Sequence, residues 1–445
     1  MDYEFSGEII TRESEQYEQS RLIWNRCIDS HPYGIIYCSN TYDVCMAINY
    51  VRNMNGKCRI CTGGHSDLGF CTGDDVFVIN LSRVNQCDYN KDYHMVSCGC
   101  GVINQTVCKY LLDQNCFFPG PDPNTYIGVW SMCGGIGCAS RTYGLGCDYL
   151  AHIELVNYQG EVICANQSQN QDLFWAIKGA GAGNFGVVTN LVYYLPPPVE
   201  KVCFFELSIS YCTRSSIIEF IEVWQDWLSV LEPQINCQVQ FCNTFHQGRY
   251  IFGYGVSYLS VEETKVKLGP FASVKGLRIS YESKQYYNAI SSLNRFYEPY
   301  VRQSHMGRFV YDHYEVKDIE YMADMIWGRR AEGGIYSSLT LTSMGGFISK
   351  YNNQASSFYY RDASYLLSLR TQWFDEDCHS GNELWMLRKY DYLKSITRGA
   401  YIHQPFSGYQ DYEHEYFGEN AYWLKQVKAK YDPYNFFSFP QGIRI

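Results

Sequence analysis

From Tyr33 to about Leu195, short apolar runs alternate with segments whose apolar residues recur at helical spacing. Gly34-Ile-Ile-Tyr-Cys38 reads as a strand and Tyr42 to Met54 as a helix. Further strands are expected at Lys57 to Cys61, Val76 to Leu81 and Met95 to Cys100, with a helix at Asn104 to Gln114. Glycines mark many of the junctions. Pro196-Pro-Pro198 cannot continue a helix or a central strand, so a second unit is expected to begin there. From Val202 to about Phe374, strands such as Cys203 to Ile209 and Tyr250 to Tyr258 alternate with helices such as Ser216 to Leu231. That is the pattern of an antiparallel sheet with helices on one side. A last helix, Asn420 to Lys430, is stopped by Asp432-Pro433.

Composition narrows the class. At 445 residues the chain is too long for one ordinary core and suggests two or three packed units. Its 41 tyrosines and 17% aromatic content fit a globular protein with aromatic-walled pockets. A net charge of -10 argues against a nucleic-acid partner, because phosphate binding needs clustered Lys and Arg. Arg329-Arg330 and Arg388-Lys389 are only pairs, and Lys425, Lys428 and Lys430 read as the solvated face of a helix. No segment approaches the roughly 18 apolar residues of a membrane helix. The opening Met1-Asp-Tyr-Glu-Phe-Ser lacks a secretory pattern, so a cytoplasmic address without a membrane partner is expected. In that compartment the 20 cysteines, 15 of them at or before Cys164, are expected to be reduced. Cys58 and Cys61 with Cys98 and Cys100 make a poor zinc set, since the second spacing is C-x-C and no paired histidines follow. They read as small buried residues, and no metal is expected.

Three glycine-rich stretches carry candidate chemistry. Gly181-Ala-Gly-Asn-Phe-Gly186 fits G-x-G-x-x-G, but a dinucleotide turn follows a strand and opens a helix. Here the expected helix, Asp172 to Lys178, comes first, and the strand, Val187 to Leu195, comes after. The order argues against a nicotinamide site and leaves these glycines to pass backbone close to a ligand or a strand. Thr62-Gly-Gly-His-Ser66 and Gly128-Val-Trp-Ser-Met-Cys-Gly-Gly-Ile-Gly137 lie in the first unit. Such loops can aim backbone N–H groups at a pyrophosphate, or serve as plain tight turns; glycine alone leaves both open.

Four stretches together resemble the FAD-linked oxidases of the vanillyl-alcohol oxidase type, in the berberine bridge enzyme-like branch. Arg59-Ile-Cys-Thr-Gly-Gly-His-Ser66 is similar to the branch's R-x-x-S-G-G-H-S loop. Gly134-Gly-Ile-Gly-Cys-Ala-Ser-Arg-Thr-Tyr-Gly-Leu145, with Asp148, resembles its second flavin loop. Asn170 to Val188 resembles its "DLFWA...GNFGVV" signature, and Tyr416 to Phe437 its C-terminal tail. The resemblance implies an α+β, two-lobed FAD-binding fold of the PCMH type with an antiparallel-sheet substrate domain. Residues 1–198 would bind FAD, 199–398 would form the substrate domain, and 399–445 would return to the FAD domain.

By the same resemblance His65 bonds through its ring to the flavin's 8α carbon, which would raise the flavin's potential and fix its position. Arg59, Thr62, Gly63, Gly64 and Ser66 of the first loop would contact FAD. So would Gly128, Val129, Gly134, Gly135, Gly137, Ser140, Tyr143 and Gly144 around the second, with Val188, Tyr401 and His403. A second link, through a cysteine before the Gly128-Val129 pair, is not expected. Asn124 stands near its place, and Cys133 lies beyond. The implied reaction moves a hydride from a hydroxyl-bearing small molecule, a sugar or a secondary metabolite, to the flavin, with oxygen or another electron acceptor to follow. A base takes the hydroxyl proton. Gly399-Ala-Tyr401 aligns with the branch's "GAYVNY", which places His403 and Gln404 where Asn and Tyr are usual, and Ser368 stands where Gln is common. The catalytic expectation falls on His403 and Tyr401, with Tyr359, Tyr360 and Tyr365 on the substrate face. A flavin-binding protein without catalysis is the alternative that these departures raise.

Overall fold

Side chains alternate across a strand, so the residue pattern decides which face of each sheet meets water, core or ligand. The structure, a computed structural model, describes residues 4–296 and 300–445; residues 1–3 and 297–299 lie outside it. The described strands form three sheets. The first holds β1 (Glu8–Thr11), β2 (Gly34–Tyr37), β3 (Cys58–Cys61) and β4 (Phe77–Asn80) in the order β1-β2-β4-β3. The second holds β5 (Cys87–Asn90), β6 (Met95–Gly99), β7 (Leu150–Val156), β8 (Val162–Asn166) and β9 (Val187–Tyr194), ordered β5-β6-β9-β7-β8. The helix Thr41–Asn53, capped by Asn40 accepting from the Asp43 N–H, packs between them on β4, β7 and β9.

The third sheet has eight antiparallel strands: β10 (Val202–Ile209), β11 (Ile235–Thr244), β12 (Gly248–Ser257), β13 (Arg278–Lys284), β14 (Arg302–Val310), β15 (Gly334–Ser343), β16 (Tyr365–Trp373) and β17 (Arg398–Ala400). Their order is β13-β10-β12-β11-β15-β16-β14-β17. On one face Val239, Leu341 and Leu367 are register partners in a row, as are Phe241, Leu339, Leu369 and Met306. All are buried, and the helices Arg214–Ser229, Val316–Trp327 and His379–Ile396 cover them. The opposite face is polar: Gln240, Thr340 and Ser368 form one row, and Ser338, Arg370 and His305 continue the next. The expected α+β fold with an antiparallel sheet and one-sided helices is what the chain adopts.

The Arg141 side chain joins the first part of the chain to the ends of β11 and β15 and the loop before β11. Arg141 is 2% exposed and donates to the carbonyls of Ile235 (2.8 Å), Leu231 (2.8 Å), Glu232 (3.1 Å) and Met344. Its charge is spread over carbonyl dipoles in place of a carboxylate.

The C-terminal segment begins in the large sheet. Ala400 pairs with Arg308 on β14, and the Tyr401 N–H donates to the Gly307 carbonyl at 2.9 Å. Gly399 has a φ of +68°, and a Cβ there would lie 2.0 Å from the Tyr360 ring, so only glycine lets the chain leave the sheet at this point. The chain then returns to the N-terminal half, where the helix Asn420–Tyr431 packs on the helix Gln171–Ile177 and Lys430 meets Asp172 at 2.6 Å.

This return corrects the reading of Lys428 as a solvated residue. Its Nζ is buried and donates to the Asp432 carboxylate (2.6 Å) and the carbonyls of Asn184 (2.7 Å) and Phe437 (2.7 Å). Helical spacing alone placed it beside Lys425. The tail after Asp432 folds back over that face and closes it.

Candidate functional site

Two adjoining clefts open where the first part of the chain meets the polar face of the large sheet. The first is walled by the loop after β3 (Arg59, Thr62, Gly63, Gly64, His65, Ser66), by Val129 and Cys133, by Gly181-Ala182-Gly183, and by the tail residues Phe437, Ser438, Phe439 and Gln441. The second runs along the sheet past Gln238, Thr342, Arg370, Gln303 and His305, and shares His65, Asp67, Thr125 and His403 with the first.

The β3 loop is built for close approach. A Cβ on Gly63 would lie 1.8 Å from the Tyr126 ring, so any other residue there displaces the ring that flanks His65. His65 itself is exposed to the clefts, edge-on to Trp24 at 6.2 Å and to Tyr126 at 5.7 Å. Desolvation lowers its pKa, with Asp67 pulling the other way, so the ring is neutral at neutral pH. Two buried donors along these walls, Arg59 Nε and Trp24 Nε1, have no hydrogen-bond partner among the described residues. Unpaired donors, glycine backbone and a neutral exposed imidazole fit a large cofactor with acceptor atoms, as FAD has.

The remaining expected contacts divide. Gly137 and Tyr401 line the second cleft, and His403 lines both. Gly128, Gly134, Gly135, Ser140, Tyr143, Gly144 and Val188 do not line either. Gly128 backs onto Cys100, Gly135 onto Gly146 and Trp130, and the Ser140 hydroxyl accepts from the Gly137 N–H at 2.8 Å, which shapes the loop from behind. Cys133 does line the first cleft, its thiol pushed up to about 12 by burial. Asn124 donates instead to Asn294 at 2.9 Å. Cys58 and Cys61 face opposite sides of β3, in two separate apolar clusters, and so cannot share a metal.

The three tyrosines expected on the substrate face are elsewhere. Tyr365 alternates to the helix-covered side of β16 against Trp224. Tyr360 stacks on Phe309 and donates to the carbonyls of His414 and Glu415. Tyr359 packs against Gly418. Their place on the cleft is taken by Tyr254, Asp122, Arg370 and His305.

The departures at the end of β17 are coupled. The Ser368 hydroxyl donates to Gln404 Oε1 at 2.6 Å, and a Cβ on Gly307 would lie 2.1 Å from that same oxygen. Ser368, Gln404 and Gly307 thus form one packed unit below the second cleft. Burial drives the Tyr401 phenol far up, so it stays protonated, and its oxygen accepts from the Ile136 N–H at 3.4 Å. Burial pushes the His403 imidazole down to about 4 from an ordinary 6.5. Between these values the unfolded chain takes up a proton that the folded site refuses, so stability falls as pH drops through that window, by up to about 3 kcal/mol. Thermal unfolding followed from pH 7 to 4.5 checks this: wild type should lose more than His403→Asn over the same range.

Asp67 and His305 complete the site and were not legible in advance. Asp67 is buried, and its carboxylate accepts from Gln303 Nε2 on one oxygen and faces His305 Nδ1 at 3.3 Å on the other. Desolvation pushes the carboxyl up, but His305 and Gln303 outweigh it and hold it below the usual range.

Two family models match the chain: "FAD binding domain" over residues 32–166 and "Berberine and berberine like" over residues 395–444. An FAD-linked oxidoreductase of Bacillus subtilis is 24% identical over 99% of this chain and 98% of its own. The carbohydrate oxidase of Microdochium nivale is 24% identical over 96% of this chain and 91% of its own. Among solved structures, BBE-like 1 of Physcomitrella patens superposes with a TM-score of 0.90 at 18% identity, covering 99% of this chain and 97% of that one. Glucooligosaccharide oxidase of Acremonium strictum gives 0.88 at 19%, covering 98% and 96%.

Proposed function

We infer, for a chain that belongs to the berberine bridge enzyme-like branch of the FAD-linked oxidoreductases, that it oxidises a hydroxyl group on a small polar molecule, a sugar or a hydroxylated secondary metabolite. One observation carries the reading: the exposed His65 ring and the polar face of the large sheet line the same second cleft. The carbohydrate oxidase among the relatives supports a sugar in particular. Bound FAD supplies the two-electron acceptor. Residues 1–198 and the tail 399–445 hold it, and residues 199–398 present the substrate face.

The chain's own residues do the rest. His65 anchors the flavin covalently, Gly63, Gly64, Gly181 and Gly183 let backbone approach it, and Arg59 offers its unpaired Nε. Tyr401 and His403 border it on the side of the second cleft. Gln238, Thr342 and Arg370 offer donors and acceptors to a polyhydroxylated substrate, where an apolar wall would leave hydroxyl groups unpaired. Oxygen or another electron acceptor removes the electrons afterwards.

Anaerobic mixing with a panel of D-glucose, cellobiose, xylobiose, diacetylchitobiose and simple alcohols tests this. At least one sugar should bleach the flavin's visible absorbance within seconds. If none does, the alternative of a flavin-binding protein without catalysis is favoured.

A further inference from the structure

We propose that His305, held in place by Asp67, is the base that takes the substrate's hydroxyl proton. The proposal rests on the reading of the clefts as a flavin-dependent oxidation site. In the step, the substrate O–H proton passes to His305 Nε2 and the C–H hydrogen leaves with its electron pair to bound FAD, the oxidant. A carbon–oxygen double bond forms, and oxygen or another electron acceptor later regenerates the FAD.

The arrangement is built rather than incidental. His305 is 8% exposed and lines the second cleft, directly across the sheet from Arg370. An ionised carboxylate can only accept, so Asp67 fixes the Nδ1–H form of the ring and leaves the lone pair on Nε2. Asp67 is in turn fixed by β14 itself. Gln303 donates to its other oxygen, and Asn25 Nδ2 donates both to the Asp67 carbonyl (2.7 Å) and to the Gln303 carbonyl (3.0 Å). The Gln303 N–H donates back to Asn25 Oδ1 at 3.2 Å. Carboxylate and imidazole are therefore set by one strand and one loop, although 238 residues separate them in the chain.

The competing groups lack this support. His403 lines the same cleft but makes no hydrogen bond among the described residues that would select one tautomer. Among the described residues the Asp122 carboxylate has only the Tyr254 hydroxyl, at 3.4 Å. Burial keeps His305 deprotonated near neutrality, Asp67 raises its pKa and Arg370 lowers it. The other charged or titratable groups that line the cleft with it are His65, His403, Asp122, Tyr254, Tyr401, Cys138 and Cys237.

Three measurements on the flavin-loaded protein decide the matter, with whichever panel sugar bleaches wild type fastest. His305→Gln should slow anaerobic flavin reduction about 100-fold or more, while the yellow colour retained in an acid pellet stays at the wild-type level. Asp67→Asn should move the acidic limb of the reduction rate to lower pH, because the carboxylate that raises the His305 pKa is gone; Asp67→Glu should restore part of the shift. Independently of turnover, nitrogen NMR of histidine-labelled protein should show His305 in the Nδ1–H form, and a mixture of tautomers in Asp67→Asn. The proposal is overturned if His305→Gln reduces at the wild-type rate, or if its loss tracks loss of acid-stable flavin. It also fails if Asp122→Asn alone gives the whole effect, or if the ring is protonated on Nε2. A panel that bleaches nothing in wild type removes the parent reading, and the base with it.

Discussion

Replacing His65 by alanine should move the yellow flavin from the acid-precipitated pellet, where wild type is expected to keep it, to the supernatant. The expectation comes from the loop rather than from the histidine alone. His65 follows two glycines, and one of them must lack a side chain because the Tyr126 ring occupies that space. The ring of His65 is exposed to the cleft and kept neutral by desolvation, so a nitrogen lone pair is available at neutral pH. None of the other nine histidines follows such a loop. The same variant should lower the midpoint potential of the flavin, since the covalent link to the ring is lost. A fall of about 60 mV for a two-electron couple corresponds to about a hundredfold in the reduction equilibrium. Redox titration of the His65→Ala protein reconstituted with FAD measures it. Free flavin in the wild-type supernatant would sink the covalent assignment outright.

The parts of this site that sequence makes legible are those held by local chain chemistry. Gly63, Gly64 and His65 stand together in five residues, so their joint meaning survives without coordinates. The sheet also shows through, because Leu367 and Leu369 alternate with Ser368 and Arg370 in a way that only a one-sided strand explains. What stays hidden depends on register. Nothing in Gln303-Ser-His305 separates it from any polar strand until β14 pairs with β16 and brings His305 opposite Arg370 and beside Asp67. Asp67 lies two residues after His65, which is the one signal that sequence offered. The tyrosines fail for the converse reason: Tyr365 differs from Leu366 only in parity, and one step along a strand sends a side chain to the other face.

The second large effect is expected at Lys428. Three lysines, Lys425, Lys428 and Lys430, sit on one helix and look alike in the sequence. Lys425 pairs with Glu413 at 2.7 Å and Lys430 with Asp172 at 2.6 Å, both at the surface, where such pairs contribute about 0–1 kcal/mol. Lys428 and Asp432 are fully buried, and all three Nζ hydrogens are used. Lys428→Met leaves the Asp432 carboxylate without its cation, with the N–H groups of Phe436 and Phe437 as its only other donors among the described residues. Breaking a buried pair from one side costs about 3–5 kcal/mol. With an unfolding entropy of about 2.1 cal/mol/K per residue, a chain of this length that melts as one unit loses roughly one degree per kcal/mol. Lys428→Met should therefore melt about 3–5 °C below wild type, and Lys425→Met and Lys430→Met within about 1 °C of it. The effect should also reach the cofactor, because the tail that Lys428 pins carries Phe437, Ser438 and Phe439 into the wall of the first cleft. In the His65→Ala background, where flavin is held without a covalent bond, adding Lys428→Met should raise the dissociation constant for FAD, and adding Lys430→Met should leave it unchanged. Equal melting points for all three single variants would mean that the buried pair does not hold the tail.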